Sequence, residues 1–352
     1  MFLSWIVKEW KRLVKKPTIE DVAKRAGVSK STVSQYLNER YQYMSEQTRK
    51  RISEVIEDLK YQPSGLARSL KHNRTFMVGI IVANIDYSLS IKCIRAIENE
   101  LQRNKMQVII CNADENPDKE REYIEMLAAR QVDGLIVFPT GDEKSSYNRI
   151  MEMKLPLVFL DRLVDGVTTQ SLLLDNEAAV KMAIQELARH GHERIALLSL
   201  PLGEYAITPR KERISGYKKA MEELEFPIDE SLICSAPKAE IAVMLERLLA
   251  MPHSPTALLA GNDIVLGEIL KYANKRSIRI PDELSVIGID DAEFAHIYNP
   301  VITTISQPAY DMGTQAARIL LSSIEQQGKE LPITYRFPPV LQPGQSVRKL
   351  RS

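Results

Sequence analysis

At Thr75 the spacing of apolar residues changes, and the two sides of that point must fold differently. Downstream, the short runs "FMVGIIVA", "MQVIIC", "VDGLIVF" and "LPLVFL" alternate with helical patterns at 91–104, 119–130 and 143–153. A second set follows: "RIALLS", "TALLA" and "LSVIGI", interleaved with helical patterns at 177–190, 210–225, 240–250 and 263–275. Uninterrupted apolar runs of this length read as strands covered on both faces, and strand–helix alternation implies a parallel sheet. Two successive sets predict an α/β domain of two lobes over 74–352. The first lobe takes in about 74–174 and 305–338, the second about 175–304 and the C-terminal tail. The chain should cross between them near 174–176, 303–306 and 337–340. No GxGxxG follows the first strand and no P-loop occurs, so no nucleotide cofactor is expected. Without a nucleophile–base set either, the chain does not read as an enzyme.

Upstream of Thr75 the signals are helical only. In "TIEDVAKRAGVSKSTVSQYLN" (18–38), Thr18 can cap a first helix with Asp21 completing the capping box. Val22, Ala23 and Ala26 form its apolar face. Gly27 supplies a left-handed turn residue, Val28 fills the angle, and Ser29 caps a second helix whose Val33 and Leu37 point inward. Lys30, Ser31, Thr32, Ser34 and Gln35 are left outward, a set suited to base edges and phosphates in a major groove. Tyr41 and Tyr43 fall in a wing-like loop. Ser45 then caps a third helix closed by Ile52, Val55, Ile56 and Leu59, so an all-α helix-turn-helix domain is expected over 17–62.

The segment "YQPSGLARSL" follows. Its helical part is too short to be stable alone in water, and Gly65 weakens it further, so a hinge helix within 63–73 should order only when paired on DNA. Charge is divided in the same way. Residues 1–74 carry 16 Lys/Arg against 8 Asp/Glu, whereas the remainder carries 31 against 38. A basic head on an acidic body confines nucleic-acid contact to one end.

These motifs carry a specific likeness. "TIEDVAKRAGVSKSTVSQYLN" resembles the headpiece of the lactose/purine repressor family, and "YQPSGLARSLK" resembles its hinge helix. "VDGLIVFP", "LVFLDR", "LLLDNEAAV", "HGHERIALLS", "GND" and "LSVIGIDDAEFAHIYNPVITTISQP" recur in family order, so the match runs from about Lys16 to about Val347. The resemblance implies a bilobed, periplasmic-binding-protein-like sensor, a homodimer on operator DNA, and DNA contacts from Thr18, Lys30, Ser31, Thr32, Ser34, Gln35 and Asn38. It places Leu66, Ala67, Arg68 and Leu70 in the minor groove, with Leu70 as the wedge between base steps. The lactose repressor carries an arginine where Gln35 stands, so its operator preference does not transfer.

Ligands of open α/β sheets bind beyond the carboxyl ends of strands. Those positions hold 86–90, Asp161 and Arg162, Arg213, Asn262 and Asp290. Asp, Asn and Arg converging on one cleft suit sugar hydroxyls. The resemblance assigns effector contact to Asp161, Arg213, Asn262 and Asp290, and Tyr87, Ser88 and Ser90 join them as further candidates. Arg162, Arg210, Lys211 and Arg213 together point to an anionic ligand. The headpiece and the "SLSIK" region are similar to pectin-catabolism repressors that answer to 2-keto-3-deoxygluconate, which makes a sugar acid the expected effector. Helix 308–326 and the first sensor helix are the expected dimer surfaces.

Cys93, Cys111 and Cys234 are scattered without a CxxC and read as core thiols. His190 and His192 in "RHGHER" read as a polar turn, not a metal site. Residues 1–16 form an amphipathic extension that lacks the run and cleavage site of a secretion signal. We expect translation to begin at Val14. The alternatives are a periplasmic-type sugar-binding transport protein, an α/β enzyme, or a regulator that uses a corepressor. The headpiece disfavours the first and the missing catalytic set the second. A cytoplasmic, nucleoid-associated bacterial repressor with no membrane association and no metal is the resulting expectation.

Overall fold

The caps form where the sequence puts them. A computed structural model describes residues 17–62, 74–141, 144–203, 207–326 and 331–350. Thr18 accepts from the Asp21 amide while Asp21 Oδ2 accepts from the Thr18 amide at 2.8 Å, so both open donors at the start of α1 (Ile19–Ala26) are met. Gly27, at φ +63°, closes that helix, and Ser29 caps α2 (Lys30–Leu37) through the Thr32 amide. The wing-like loop is instead one turn of 3-10 helix, Tyr41–Tyr43. There Tyr41 packs edge-on against Tyr36 at 5.9 Å beneath the Arg49 guanidinium, while Tyr43 stands in solvent. Ser45 caps α3 (Glu46–Asp58), and Val22, Ala23, Ala26, Val33, Ile52, Val55 and Tyr61 bury a small core. The N-terminal extension and the hinge segment, with Leu66, Ala67, Arg68 and Leu70, lie outside the described residues.

The chain divides into two compact units, 1–75 and 76–352. The second is built on two sheets. β1 (Met77–Val82), α4 (Ser88–Arg103), β2 (Gln107–Asn112), α5 (Pro117–Ala129), β3 (Gly134–Val137), α6 (Lys144–Glu152), β4 (Leu157–Leu160) and β5 (Gln170–Leu174) make the first lobe. The chain then enters the second lobe with α7 (Asn176–Arg189), β6 (Ile195–Ser199), α8 (Thr208–Glu223) and β7 (Ile233–Ser235). There follow α9 (Ile241–Leu249), β8 (Ala257–Ala260), α10 (Asp263–Arg276), β9 (Ser285–Ile289), α11 (Glu293–Ile297) and β10 (Thr303–Ser306). It returns to the first lobe for α12 (Ala309–Gln326) and β11 (Thr334–Phe337), and ends on the second with β12 (Val340–Gln342).

The sheet orders are β11-β5-β4-β3-β1-β2 and β12-β10-β9-β8-β6-β7, the same winding twice. Every pairing is parallel except β10 with β12. That antiparallel edge departs from the all-parallel expectation, because the chain has only the two residues between Phe337 and Val340 in which to change lobes. α4 and α12 lie close together at Gly313, where a Cβ would fall 2.6 Å from the Cys93 carbonyl oxygen. Both helices therefore cover the first sheet, with Cys93, Ile97, Met312, Ala316 and Leu320 in one core.

Two details go beyond or against the sequence reading: His190 and His192 do lie in a turn before β6, and Cys234 is not a core thiol. His192 is fully buried, with Nδ1 on Thr256 Oγ1 at 2.8 Å and Nε2 on the Arg348 carbonyl at 3.1 Å, because the C-terminal tail packs over the turn that carries it. Cys234 is only half-buried, since β7 is the edge strand of its sheet.

Candidate effector site and nucleic-acid interface

In the headpiece, Thr18, Lys30, Ser31, Gln35 and Asn38 are exposed, while Thr32 and Ser34 are half-buried. Lys30 reaches Glu20 at 2.9 Å in an exposed pair, which costs little to exchange for a phosphate. Ser31 and Thr32 both hydrogen-bond the Ser29 hydroxyl, at 2.7 and 2.8 Å. The Asn38 amide donates to the Ser34 carbonyl and closes α2. The start of α2 therefore presents short, mutually bonded hydroxyls beside one lysine.

Between the two α/β lobes, the carboxyl ends of β4 and β9 carry the same device. Asp161 (φ +68°) and Asp290 (φ +76°) both take the left-handed conformation, and their amides donate to the neighbouring strand, at Leu172 O (2.8 Å) and Ile305 O (3.0 Å). Non-glycine residues held in this conformation cost free energy and tend to mark working positions. Both carboxylates are buried. Desolvation raises the Asp161 pKa against the pull of Arg162 and Arg213.

Arg213, on the second turn of α8, is buried under three partners. Its Nε donates to Asn176 Oδ1 at 2.9 Å, its Nη1 donates to the Gly261 carbonyl, and its Nη2 lies 3.9 Å from Asp290. The Gln307 amide also donates to Asp290. Asn262 Oδ1 accepts from the Val265 amide at 2.9 Å, so this residue caps α10 and only its amide nitrogen is left for a ligand. Beside it, Asp263 reaches across the cleft and accepts from the Ser88 amide at 2.8 Å. Burial, and then the Asp290 charge, push the Asp263 carboxyl up to about 6.

Glu115 is the participant that sequence reading missed. It follows β2 in a left-handed pair, Asp114 (φ +53°) and Glu115 (φ +57°). Its carboxylate takes Arg162 in a two-pronged bond, at 2.7 and 3.1 Å. The Tyr87 hydroxyl donates to Glu115 Oε1 at 2.9 Å, and Arg210 Nη2 approaches the same oxygen at 3.6 Å. Burial opposes the Glu115 charge, but the arginines hold its carboxyl below the usual range. Burial and Glu115 push the Tyr87 hydroxyl up to about 12. Arg162 also donates to the Pro139 carbonyl at 3.2 Å and lies 3.5 Å from Asp161, while its Nε has no hydrogen-bond partner.

This overturns the expected cationic surplus. Arg162 and Arg210 share Glu115, Arg213 faces Asp290, and Lys211 is exposed to solvent. Ser90 is buried near the start of α4. Further bonds span the lobes, from the Leu163 amide to Thr208 Oγ1 at 3.0 Å, from Lys92 to the Asp291 carbonyl, and between Arg336 and Glu212 at 2.6 Å. Among the described residues no group of His, Cys, Asp and Glu is arranged to hold a metal, and no helix is long and apolar enough to cross a membrane.

A three-helix headpiece followed by a hinged pair of α/β lobes with a charged, hydrogen-bonding cleft defines a ligand-responsive DNA-binding regulator. Comparison with known proteins agrees. Residues 18–64 match the model for bacterial regulatory proteins of the lacI family, and residues 184–347 match a periplasmic binding protein-like domain. A probable HTH-type transcriptional regulator, EndR, of Paenibacillus polymyxa is 45% identical over 95% of this chain and 99% of its own. The HTH-type transcriptional regulator KdgR of Bacillus subtilis (strain 168) is 32% identical over 88% of this chain and 91% of its own. In structure, the lac repressor dimer bound to operator and the anti-inducer ONPF superposes with TM-score 0.82 at 23% identity, covering 95% of this chain and all of that one. The chain belongs to the lacI family of bacterial regulatory proteins. It is a DNA-binding transcriptional repressor of that type and not an enzyme.

Proposed function

We propose that the chain represses genes for the breakdown of a sugar or sugar acid and leaves its operator when a small sugar acid enters the cleft between the lobes. 2-Keto-3-deoxygluconate is the leading effector. The observation that supports this reading is the cleft itself: the buried Asp161 and Asp290 carboxylates can accept from hydroxyls, and Arg162 and Arg210 already gather round one carboxylate, Glu115, as they would round a ligand's. Tyr87, Ser88, Ser90 and Asn262 complete the effector set. A homodimer acting in the cytoplasm on nucleoid DNA fits a headpiece that reads one half-site per copy.

On DNA, Thr18, Lys30, Ser31, Thr32, Ser34, Gln35 and Asn38 contact the major groove, and the hinge residues Leu66, Ala67, Arg68 and Leu70 contact the minor groove. Effector binding shifts the lobes and weakens the hinge, which requires only a difference in effector affinity between the two states, typically about 1–3 kcal/mol. A gel shift on the chain's own upstream region, with and without effector, tests the regulatory reading. Calorimetry against sugar acids and neutral sugars tests the effector class. Binding of neutral sugars alone removes the sugar acid. Leu70→Ala should weaken specific operator binding while effector binding persists.

A further inference from the structure

The cationic side chains that favour an acidic effector are already occupied, and the occupant belongs to the chain. Glu115 Oε1 accepts from Tyr87, just before α4, and from Arg162, after β4, and is ion-paired at 3.6 Å with Arg210 on α8, whose Nη2 donates to the Tyr87 hydroxyl at 3.4 Å. The first two belong to the first lobe and the third to the second, so this one oxygen links the lobes. The Arg162 side chain is 6% exposed and that of Arg210 14%, whereas that of Glu115 is 25% exposed. Glu115 is thus the most accessible of the three side chains. Arg162 is fixed from behind by the Pro139 carbonyl and Asp161, and Arg210 by the Pro201 carbonyl at 2.6 Å. Both arginines remain positioned if Glu115 turns away.

Glu115 also sits on an unusual support. Two consecutive non-glycine residues, Asp114 and Glu115, hold positive φ, pinned by Glu115 N donating to the Ala83 carbonyl at 2.6 Å and by Asn112 donating to Asp114 Oδ1 at 2.7 Å. The backbone bonds hold the turn, and the side chain is held only by its contacts with Tyr87, Arg162 and Arg210, so exchanging those contacts does not require the backbone to move.

Resting on the sugar-acid reading above, we propose that Glu115 is an internal stand-in for the effector's carboxylate. It pairs with Arg162 and Arg210 and is displaced by an acidic effector, which exchanges one carboxylate for another. A neutral sugar offers nothing to replace it and leaves it in place. Glu115 therefore sets specificity in two ways. It keeps the cleft from capturing arbitrary small anions, and it makes acid binding a competition whose outcome depends on how well the rest of the ligand fits.

The test uses the full chain and three probes: 2-keto-3-deoxygluconate, D-gluconate and the neutral D-glucose. Glu115→Gln keeps the shape and an acceptor oxygen while removing the competing charge. Calorimetry should show at least one of the two acids binding this variant roughly tenfold or more tightly than wild type, the scale of one charge-assisted hydrogen bond, with no gain for D-glucose. A structural defect would weaken acid and neutral sugar alike, so the selectivity ratio is the readout. A crystal structure of the wild-type chain with 2-keto-3-deoxygluconate gives a second measurement that is independent of any variant. There the ligand carboxylate should lie on Arg162 and Arg210 with Glu115 turned away. If sugar acids bind wild type but Glu115→Gln binds them no more tightly, or if Glu115 still grips Arg162 beside the bound acid, the stand-in role is overturned and the sugar-acid reading survives. If D-glucose binds and neither acid does, both fall together.

Discussion

Asp263 makes the sensor's stability depend on pH in an unusual direction. Its carboxylate is buried, bonded to the Ser88 amide across the cleft, and close enough to Asp290 to feel that charge. Burial first and Asp290 second lift its pKa from the ordinary 3.8 to about 6. An acid whose pKa rises on folding binds its proton more firmly in the folded state. Between pH 4 and 6 the folded chain therefore holds more protons than the unfolded one, and stability falls as pH rises through that window. The full effect is about 3 kcal/mol, taking 1.36 kcal/mol for each pH unit between the two pKa values. Most paired carboxylates act oppositely, Glu115 and Asp229 among them, so the wild-type curve mixes both signs. Asp263→Asn isolates the term. It cannot ionise and keeps one acceptor for the two amides, Ser88 and Ile264, that the carboxylate serves. Urea unfolding of both proteins from pH 4 to 7.5 should show the variant gaining on wild type by up to about 3 kcal/mol as pH rises through 6, less about 1 kcal/mol for the lost bond at every pH. A difference that stays flat across that range refutes the argument.

Ile52 is fully buried in the headpiece core, where Ile52→Ala should cost about 2–5 kcal/mol. A domain this small has little more than that in reserve, so operator binding should be lost in a gel shift while calorimetric effector binding persists; loss of both would show that the two units do not fold separately. Arg213→Lys cannot serve Asn176, Gly261 and Asp290 at once. Effector affinity should fall roughly tenfold or more, because a lysine lacks the planar fork that meets several acceptors, and unchanged affinity in calorimetry would remove Arg213 from the site. Gly313→Ala places a methyl 2.6 Å from the Cys93 carbonyl oxygen, backbone that cannot step aside cheaply. Thermal unfolding should report a loss of about 1–3 kcal/mol, as overpacking usually costs, and no loss would mean that α4 and α12 separate freely.

Much of this was legible because it is local. The caps at Thr18, Ser29 and Ser45 depend on partners three residues away, and the core strands announce themselves as apolar runs. The edges were harder. β7 (ICS), β11 (TYRF) and β12 (VLQ) are short and partly exposed, so their pattern differs little from a loop. At the site, Asp161, Arg162, Arg213 and Asp290 were readable as strand-end or helix-start positions. Glu115 was not. Its partners are 28, 47 and 95 residues away in sequence, and no spacing rule ties them together. No glycine flags the left-handed turns at Glu115, Asp161 and Asp290, where the amides bond to distant strands. The burial of His192 was not legible for a similar reason, since the chain that buries it arrives more than 150 residues later.

The three crossings between the lobes, after Leu174, Ser306 and Phe337, have a mechanical consequence. Three short tethers side by side resist shear and stretching and leave one easy degree of freedom, a swing about the line through them. A ligand that reorients one lobe against the other would act through that same swing, whatever its chemistry. Recognition and output are therefore separable in this chain. On the proposed reading, side chains such as Glu115 and Arg213 could change to suit a new metabolite without redesign of that motion.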